Sequence, residues 1–157
     1  MKKRLTHYDD AGVARMVDVS AKSPTKRTAR AHAFVKMQPS VIAQLPSNPK
    51  GNPLEIARVA GISAAKKTSD LIPLCHPLML SHVDVEVTLE SDGVRIISSV
   101  ATMAATGVEM EALTAASVAA LTVYDMTKAL DKGIRIREVV LIRKSGGKSG
   151  EYRRESL

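Results

Sequence analysis

The chain has few aromatic residues and a single cysteine, and each scarcity excludes a class of protein. With no Trp, one Phe and three Tyr, it offers few rings on which single-stranded bases could stack. The lone Cys75 cannot form an internal disulfide, so nothing ties the chain to an oxidising compartment. No apolar run approaches the roughly 20 residues that span a bilayer. We therefore expect a cytoplasmic protein that binds neither nucleic acid nor a membrane.

Positive charge is what the chain has in excess. Its 157 residues include 23 Lys and Arg against 16 Asp and Glu, a formal net charge of +7. Charge of this sign attracts anionic partners, and a basic chain that is poor in aromatics suits a small polyphosphate. Cys75 and His76 are adjacent, which is not the spacing of a zinc site, so we expect no metal site. A non-catalytic nucleotide- or phosphate-binding protein and an RNA-binding module stay open as alternatives.

Hydrophobic periodicity predicts four strands. Residues 28–37 and 83–89 alternate between apolar and polar side chains, as half-buried strands do. Ser91-Asp92-Gly93 is a hairpin signal, so 94–101 should return as a partner strand, and 134–142 should form the last one.

Two helix starts lie between these strands. Asn52 is placed to cap the first, with Glu55 as the capping-box acid, and 106–109 forms a second capping box that opens an Ala-rich helix to about Asp131. The order β-α-β-β-α-β is typical of a ferredoxin-like α+β fold. We predict an antiparallel sheet with helices on one face, in one domain spanning 1–157. The ends of that domain, 1–15 and 145–157, are predicted to be mobile in part.

Asp125 and Lys128 are the first candidate catalytic pair. They lie three apart on an otherwise small and apolar helix, where we expect the acid to be partly buried, as functional acids beside a lysine often are; a surface ion pair is the alternative. Glu111 returns to the same face within about 40°, yet it stands on the order of 21 Å from Asp125 along the axis. A site that uses both therefore needs two subunits, or a distorted first turn.

Two further segments carry chemistry-bearing residues. Lys144–Gly150 ends in the Gly-Lys-Ser of a P-loop, but that motif needs Gly at position 142, which is Ile142, and we expect no helix to follow. The segment is either an anion-binding loop or a solvated basic tail. His76 lies in the apolar run 71–80, which we predict to be a loop buried in the core or between subunits. The other three histidines, His7, His32 and His82, suggest no site.

Long motifs stand at Met16–Lys22, Asp70–Leu78, Thr106–Thr114 and Lys144–Gly150. Together they resemble the cyclic pyranopterin monophosphate synthase family of molybdenum cofactor biosynthesis over nearly the whole chain. The resemblance implies a lyase that converts (8S)-3′,8-cyclo-7,8-dihydroguanosine 5′-triphosphate, a cyclic dihydro-GTP, to cyclic pyranopterin monophosphate and diphosphate. It also implies a homohexamer, a trimer of dimers with sites at subunit interfaces. No cofactor is implied beyond Mg²⁺ brought by the triphosphate.

The resemblance also assigns roles to residues of this sequence. Asp125 and Lys128 are the implied general acid–base pair. The implied substrate-binding residues are Leu74, Cys75, His76, Glu109, Met110, Glu111, Lys50 and Lys144. One position departs from the family pattern, because Ala105 stands where many relatives carry a lysine. We further expect Lys128 to have a lowered pKa, as a lysine must to act as a base.

Overall fold

The computed structural model describes residues 6–49 and 51–156, and within them the chain forms five strands, four α-helices and one 3₁₀ turn. In chain order these are β1 (Thr25–Lys36), α1 (Pro39–Ile42), the 3₁₀ turn (Leu45–Ser47), α2 (Pro53–Ala65), α3 (Thr68–Leu71), β2 (Leu80–Glu90), β3 (Gly93–Ala104), α4 (Glu109–Thr127), β4 (Arg135–Ser145) and β5 (Tyr152–Arg153). None of these helices is long and apolar enough to cross a membrane.

The strands form one antiparallel sheet in the order β2-β3-β1-β4-β5. Helices α2 and α4 pack against each other and cover one face, α2 over β2 and α4 over β1, β3 and β4. The α+β class and the ferredoxin-like order are therefore confirmed. Strand β5 was not predicted. The segment that could have been a solvated basic tail folds back instead and pairs Tyr152 with Lys144. Mobility of the two chain ends stays a prediction.

Small side chains fill the core between the sheet and the helices. The helix-facing side of β1 is almost all alanine, and buried alanines line α4. Such residues let the layers approach closely, and Gly61 of α2 is a position of close approach. A Cβ added there would lie 2.9 Å from Ala115 O and 3.2 Å from the Ala119 Cβ of α4. Gly61 is thus the position at which α2 meets α4.

The two helix starts differ from each other. The Asn52 side chain caps α2 as predicted, accepting the Leu54 N–H at 3.0 Å. The second capping box is wrong, because α4 begins at Glu109 with Val108 as its N-cap and no side-chain cap. Glu109 does not serve Thr106, since its carboxylate turns to Lys144 of β4 instead.

No residue of the apolar run 71–80 is fully buried, although Leu78 and Leu80 pack against the core. Leu71 is 57% exposed and Met79 is 91% exposed, because Pro73 and Pro77 keep the segment out of the regular layers. Burial in the core was therefore a wrong expectation. Burial between subunits stays a prediction.

Candidate active site

A cleft lies at the end of the sheet where β1 begins and where β3 and β4 end. A larger lobe of about 850 Å³ is bounded by the β4–β5 hairpin loop, and a smaller lobe of about 340 Å³ is bounded by the run 74–78. Both lobes share a wall at the start of α4, made of Thr106, Gly107 and Glu109, and both are lined by Lys22. We therefore describe them as one cleft with two lobes.

The larger lobe is strongly cationic. Its lining carries four basic side chains, Lys22, Arg27, Lys144 and Lys148, against one acid, Glu109. Five hydroxyl side chains complete the polar lining: Ser23, Thr25, Thr106, Ser145 and Ser149. Basic groups with hydroxyl donors around a cavity of this size are suited to an oligophosphate.

Arg27 and the hairpin loop shape the wall of this lobe. Gly146 and Gly147 have positive φ angles of 101° and 73°, a backbone conformation that favours glycine. The Arg27 guanidinium occupies the space that a Cβ on Gly147 would need. Arg27 also donates from Nε to Ala104 O at 3.3 Å and from Nη2 to Ala105 O at 3.2 Å. One arginine thus links the end of β3 to the glycine loop.

Lys144 and Glu109 form the most buried pair among the ion pairs of the described residues. Lys144 Nζ lies 3.2 Å from Glu109 Oε1, with the side chains 20% and 29% exposed. Lys144 Nζ also donates to Ser149 Oγ at 2.7 Å. The predicted anion-binding loop is therefore a hairpin loop joined through its first lysine to α4, and no helix follows it in the described chain.

The smaller lobe brings together two predicted groups that are distant in sequence. Leu74, Cys75 and His76 face Met110 and Glu111 across it. The first group is placed by a turn after α3, in which the Cys75 N–H donates to Ile72 O at 3.1 Å. The second group is the first turn of α4.

Burial sets the acid–base character of the smaller lobe. Glu111 is only 4% exposed, and this burial, with the nearby charge of Glu109, raises the pKa of its carboxyl. Burial and the Glu111 charge likewise raise the pKa of the Cys75 thiol. Cys75 is therefore held as a neutral thiol, which is a poor nucleophile, whereas the carboxyl of Glu111 holds its proton more strongly than an exposed glutamate does.

Asp125 and Lys128 lie at the other end of α4 and line neither lobe. Lys128 Nζ donates to Asp125 Oδ1 at 2.6 Å, and the side chains are 51% and 65% exposed. The expected partial burial of Asp125 is thus wrong. The hydrogen bond and the charge of Asp125 raise the pKa of Lys128, so the expected lowering is wrong too.

The separation of Asp125 from Glu111 agrees with the helix geometry. Helix α4 runs unbroken from Glu109 to Thr127, so the distorted first turn that would have shortened the distance is not found. The two carboxylates stand roughly 21 Å apart along the axis. Lys50, the remaining predicted site residue, lies outside the described residues. The loop before it contacts α4, since Asn48 Nδ2 donates to Met126 O at 3.1 Å.

The cleft also contains residues that the sequence did not single out. Lys22 ends one of the motifs quoted above, and Lys148 lies in the glycine-rich segment, so both could have been identified from the sequence. Arg27 and His7 carry no local signal, and only the fold places them at the cleft. Within 6–49 and 51–156, no three His, Cys, Asp or Glu side chains are grouped as metal ligands would be.

Comparison with known proteins gives a consistent result. The MoaC family model matches residues 16–147. The chain is 57% identical over 155 residues to the cyclic pyranopterin monophosphate synthase of Streptomyces griseus, covering 98% of this chain and 88% of the relative. It is 54% identical to cyclic pyranopterin monophosphate synthase 1 of Mycobacterium tuberculosis over 97% of this chain and 91% of the relative. The corresponding enzyme of Staphylococcus carnosus is also 54% identical, with 96% and 97% covered.

Proposed function

The chain belongs to the MoaC family, and from that premise we propose that it is the lyase that forms cyclic pyranopterin monophosphate and diphosphate from the cyclic dihydro-GTP, in molybdenum cofactor biosynthesis. Relatives more than half identical over nearly the whole chain carry the name of that synthase. The proposal includes a cytoplasmic location, no required cofactor, and Mg²⁺ only as a counter-ion brought by the triphosphate.

The observation that carries the proposal is the contrast between the two lobes. The larger lobe has four cations and suits the triphosphate. The smaller lobe has apolar walls and a few directional polar groups, including His76 and Glu111, which is typical of a site for a small heterocycle. A guanine-derived ring joined to a triphosphate needs both kinds of surface side by side.

The chemistry assigned to these groups follows from their protonation. Rebuilding a purine into a pterin requires several proton transfers at nitrogen and oxygen, and the Glu111 carboxyl, with its raised pKa, is suited to them. Closing the cyclic phosphate expels diphosphate, whose charge Lys144 and its basic neighbours stabilise. Lys128, with its raised pKa, acts as a proton donor and cation rather than as the neutral base expected from the sequence.

We propose that each complete site is shared by two subunits of a homohexamer. Asp125 and Lys128 stand too far along α4 to reach the ligand held by Glu111 of their own chain. The same pair on a neighbouring subunit could complete the cleft. Two large apolar side chains on the helices are exposed, Val59 of α2 and Leu121 of α4, each by 57%. Their exposure supports burial of the helical face in an oligomer.

Subunit complementation tests the shared site. Glu111→Gln and Asp125→Asn chains, each inactive alone, are co-expressed with different tags and purified through both. If the two residues come from different chains, about a quarter of the sites in a randomly mixed oligomer are intact and activity returns to about that fraction. If one chain supplies both residues, the mixed oligomer stays inactive.

The reaction is tested by incubating the protein with the cyclic dihydro-GTP and following pterin and diphosphate together. A non-catalytic nucleotide- or phosphate-binding protein is the second candidate, favoured by the cationic lobe alone. It would bind the triphosphate and release no diphosphate. Asp125→Ala tests the proposed acid–base pair. Diphosphate release at the parental rate in this variant would rule that pair out.

A further inference from the structure

The segment 6–23 forms one wall of the cleft although it contains no helix and no strand of the sheet. We call this segment the N-terminal arm. It lines the smaller lobe with His7, Val17, Val19 and Lys22, among others. The family motif Met16–Lys22 accounts for only its second half. His7 therefore has a position in the cleft without an assigned role.

A hydrogen-bonded turn holds His7 in this place. Asp9 Oδ1 accepts the N–H groups of Ala11 at 3.0 Å and of Val13 at 2.9 Å. The Asp9 N–H donates to Val13 O at 3.0 Å, and the Arg15 N–H donates to His7 O at 2.9 Å. An aspartate that accepts from the backbone two residues on stabilises a compact turn. The backbone of His7 is thereby fixed in the wall of the smaller lobe.

The surroundings of His7 indicate what it can bind. The smaller lobe already offers the His76 imidazole, the neutral Cys75 thiol and the buried Glu111. Val17 and Val19 of the same arm add apolar wall. An imidazole can form hydrogen bonds through both of its ring nitrogens, so it suits a ring that carries N–H and C=O groups. A triphosphate would instead be drawn to the cations of the larger lobe.

We propose that His7 is a substrate-binding residue that hydrogen-bonds the guanine-derived ring in the smaller lobe, and that the turn at Asp9 positions it. This inference rests on the proposed function of the cleft. It assigns the first half of the N-terminal arm to the binding of substrate, and it adds a second imidazole to the one that His76 supplies.

The test compares His7→Ala and His7→Gln with His82→Gln, a matched histidine control that lies exposed on β2 and lines neither lobe. We expect His7→Ala to lower kcat/KM for the cyclic dihydro-GTP by roughly 10- to 100-fold, the range for losing one hydrogen bond to a ligand. His7→Gln, which retains a donor and an acceptor, should recover part of that loss. His82→Gln should equal the parent. His7 is exposed, so all three variants should keep the parental melting temperature.

Two outcomes separate this inference from the proposed function. If the parent converts the cyclic dihydro-GTP and His7→Ala has parental kcat/KM, the role of His7 is overturned and the function stands. If the parent releases no diphosphate, the proposed function is wrong. The contact between His7 and the ring is then tested by titration calorimetry with GTP. Weaker GTP binding in His7→Ala than in His82→Gln supports the contact, and equal binding overturns it.

Asp9→Ala tests the positioning step. Asp9 lines neither lobe, so a loss in this variant acts through the turn. We expect KM to rise with little change in kcat, because the contacts of the ring are loosened while the reacting groups stay in place. An unchanged KM would show that the turn does not position His7.

Discussion

Lys144 Nζ lies 3.2 Å from Glu109 Oε1, and this contact joins the end of β4 to the first turn of α4. The same lysine contacts Ser149 in the hairpin loop. The carboxylate therefore orients the basic group that faces the larger lobe, and it also offsets part of the positive charge there. Both effects can be separated by substitution.

Lys144→Gln should weaken binding of the triphosphate. Removing one cation from a partly enclosed anion site is expected to raise Kd for GTP by about tenfold, and the effect should shrink with added salt. Titration calorimetry at two salt concentrations measures both. Lys132→Gln, an exposed lysine outside both lobes, is the matched control. Equal losses in the two variants would mean that net charge, not position, governs binding.

Glu109→Gln removes the carboxylate that pairs with Lys144. A double-mutant cycle with Lys144→Gln, measured on the free energy of unfolding, should give a coupling of about 1 kcal/mol, since the two side chains are mostly but not fully buried. A coupling near zero would show that this ion pair does not stabilise the fold.

Glu111→Gln should lower activity while raising stability. The pKa of Glu111 is raised in the fold by burial, so above the ordinary glutamate pKa of 4.5 the unfolded chain loses this proton more readily than the folded chain does. The ionised form therefore costs stability, which falls as pH rises through the folded pKa. Glutamine removes that cost, and kcat should drop by about a hundredfold or more.

Urea unfolding at pH 4 and pH 8 checks the sign of this effect. The increase in the free energy of unfolding of Glu111→Gln over the parent should be larger at pH 8 than at pH 4. Glu155→Gln, on an exposed side chain far along the chain from α4, serves as the control. Equal destabilisation of Glu111→Gln at both pH values would show that Glu111 is held as a stabilising carboxylate instead.

Gly61→Ala should destabilise the fold. Its added Cβ would press on the Ala115 carbonyl oxygen at 2.9 Å, a backbone atom that can move only if α2 and α4 separate. Overpacking of this kind typically costs about 1 to 3 kcal/mol, which outweighs the gain of up to about 1 kcal/mol from replacing glycine within a helix. Ser63→Ala, on the exposed side of α2, is the control in urea unfolding. Parental stability of Gly61→Ala would mean that the helix contact is not tight.

The sequence predicted the fold better than it predicted the acid–base states. Alternation in 28–37 and 83–89, and the Asn52 cap, are local signals, and each led to an element near its observed place. Burial depends on which layer covers a residue. The exposure of Asp125 and of Leu71 was therefore not accessible from the pattern.

The site shows the same division between local and long-range information. Motif residues such as Cys75 and Glu111 could be singled out because they lie within the segments that carry the resemblance, and both line the smaller lobe. Arg27 and His7 reach the cleft only through strand register and a turn in the N-terminal arm. The pairing of Glu109 with Lys144 likewise joins residues far apart in the chain, so a local capping box was the simpler interpretation.

His32 should make the fold sensitive to acid. It is 3% exposed on β1, between Ile97 of β3 and Val140 of β4, and its Nδ1 has no hydrogen-bond partner in the described structure. Burial lowers its pKa, with a smaller lowering by Arg95, and these outweigh the backbone and charge of Glu138 and the charge of Glu90, which raise it. The folded chain therefore holds His32 neutral.

The direction of the pH effect follows from linkage. Below the unfolded value of 6.5, the unfolded chain takes up this proton before the folded chain does, so stability falls as the pH decreases from about 6.5 towards the folded pKa. His32→Leu removes the titrating group and fills the site with apolar volume. Its stability should change less than that of the parent between pH 7 and pH 5, measured by urea unfolding. His82→Gln, on an exposed histidine, should keep the parental slope. Because acidic groups such as Glu111 titrate in all three proteins, only the difference in slope is diagnostic, and parallel curves for parent and His32→Leu would show that His32 is not the sensitive group.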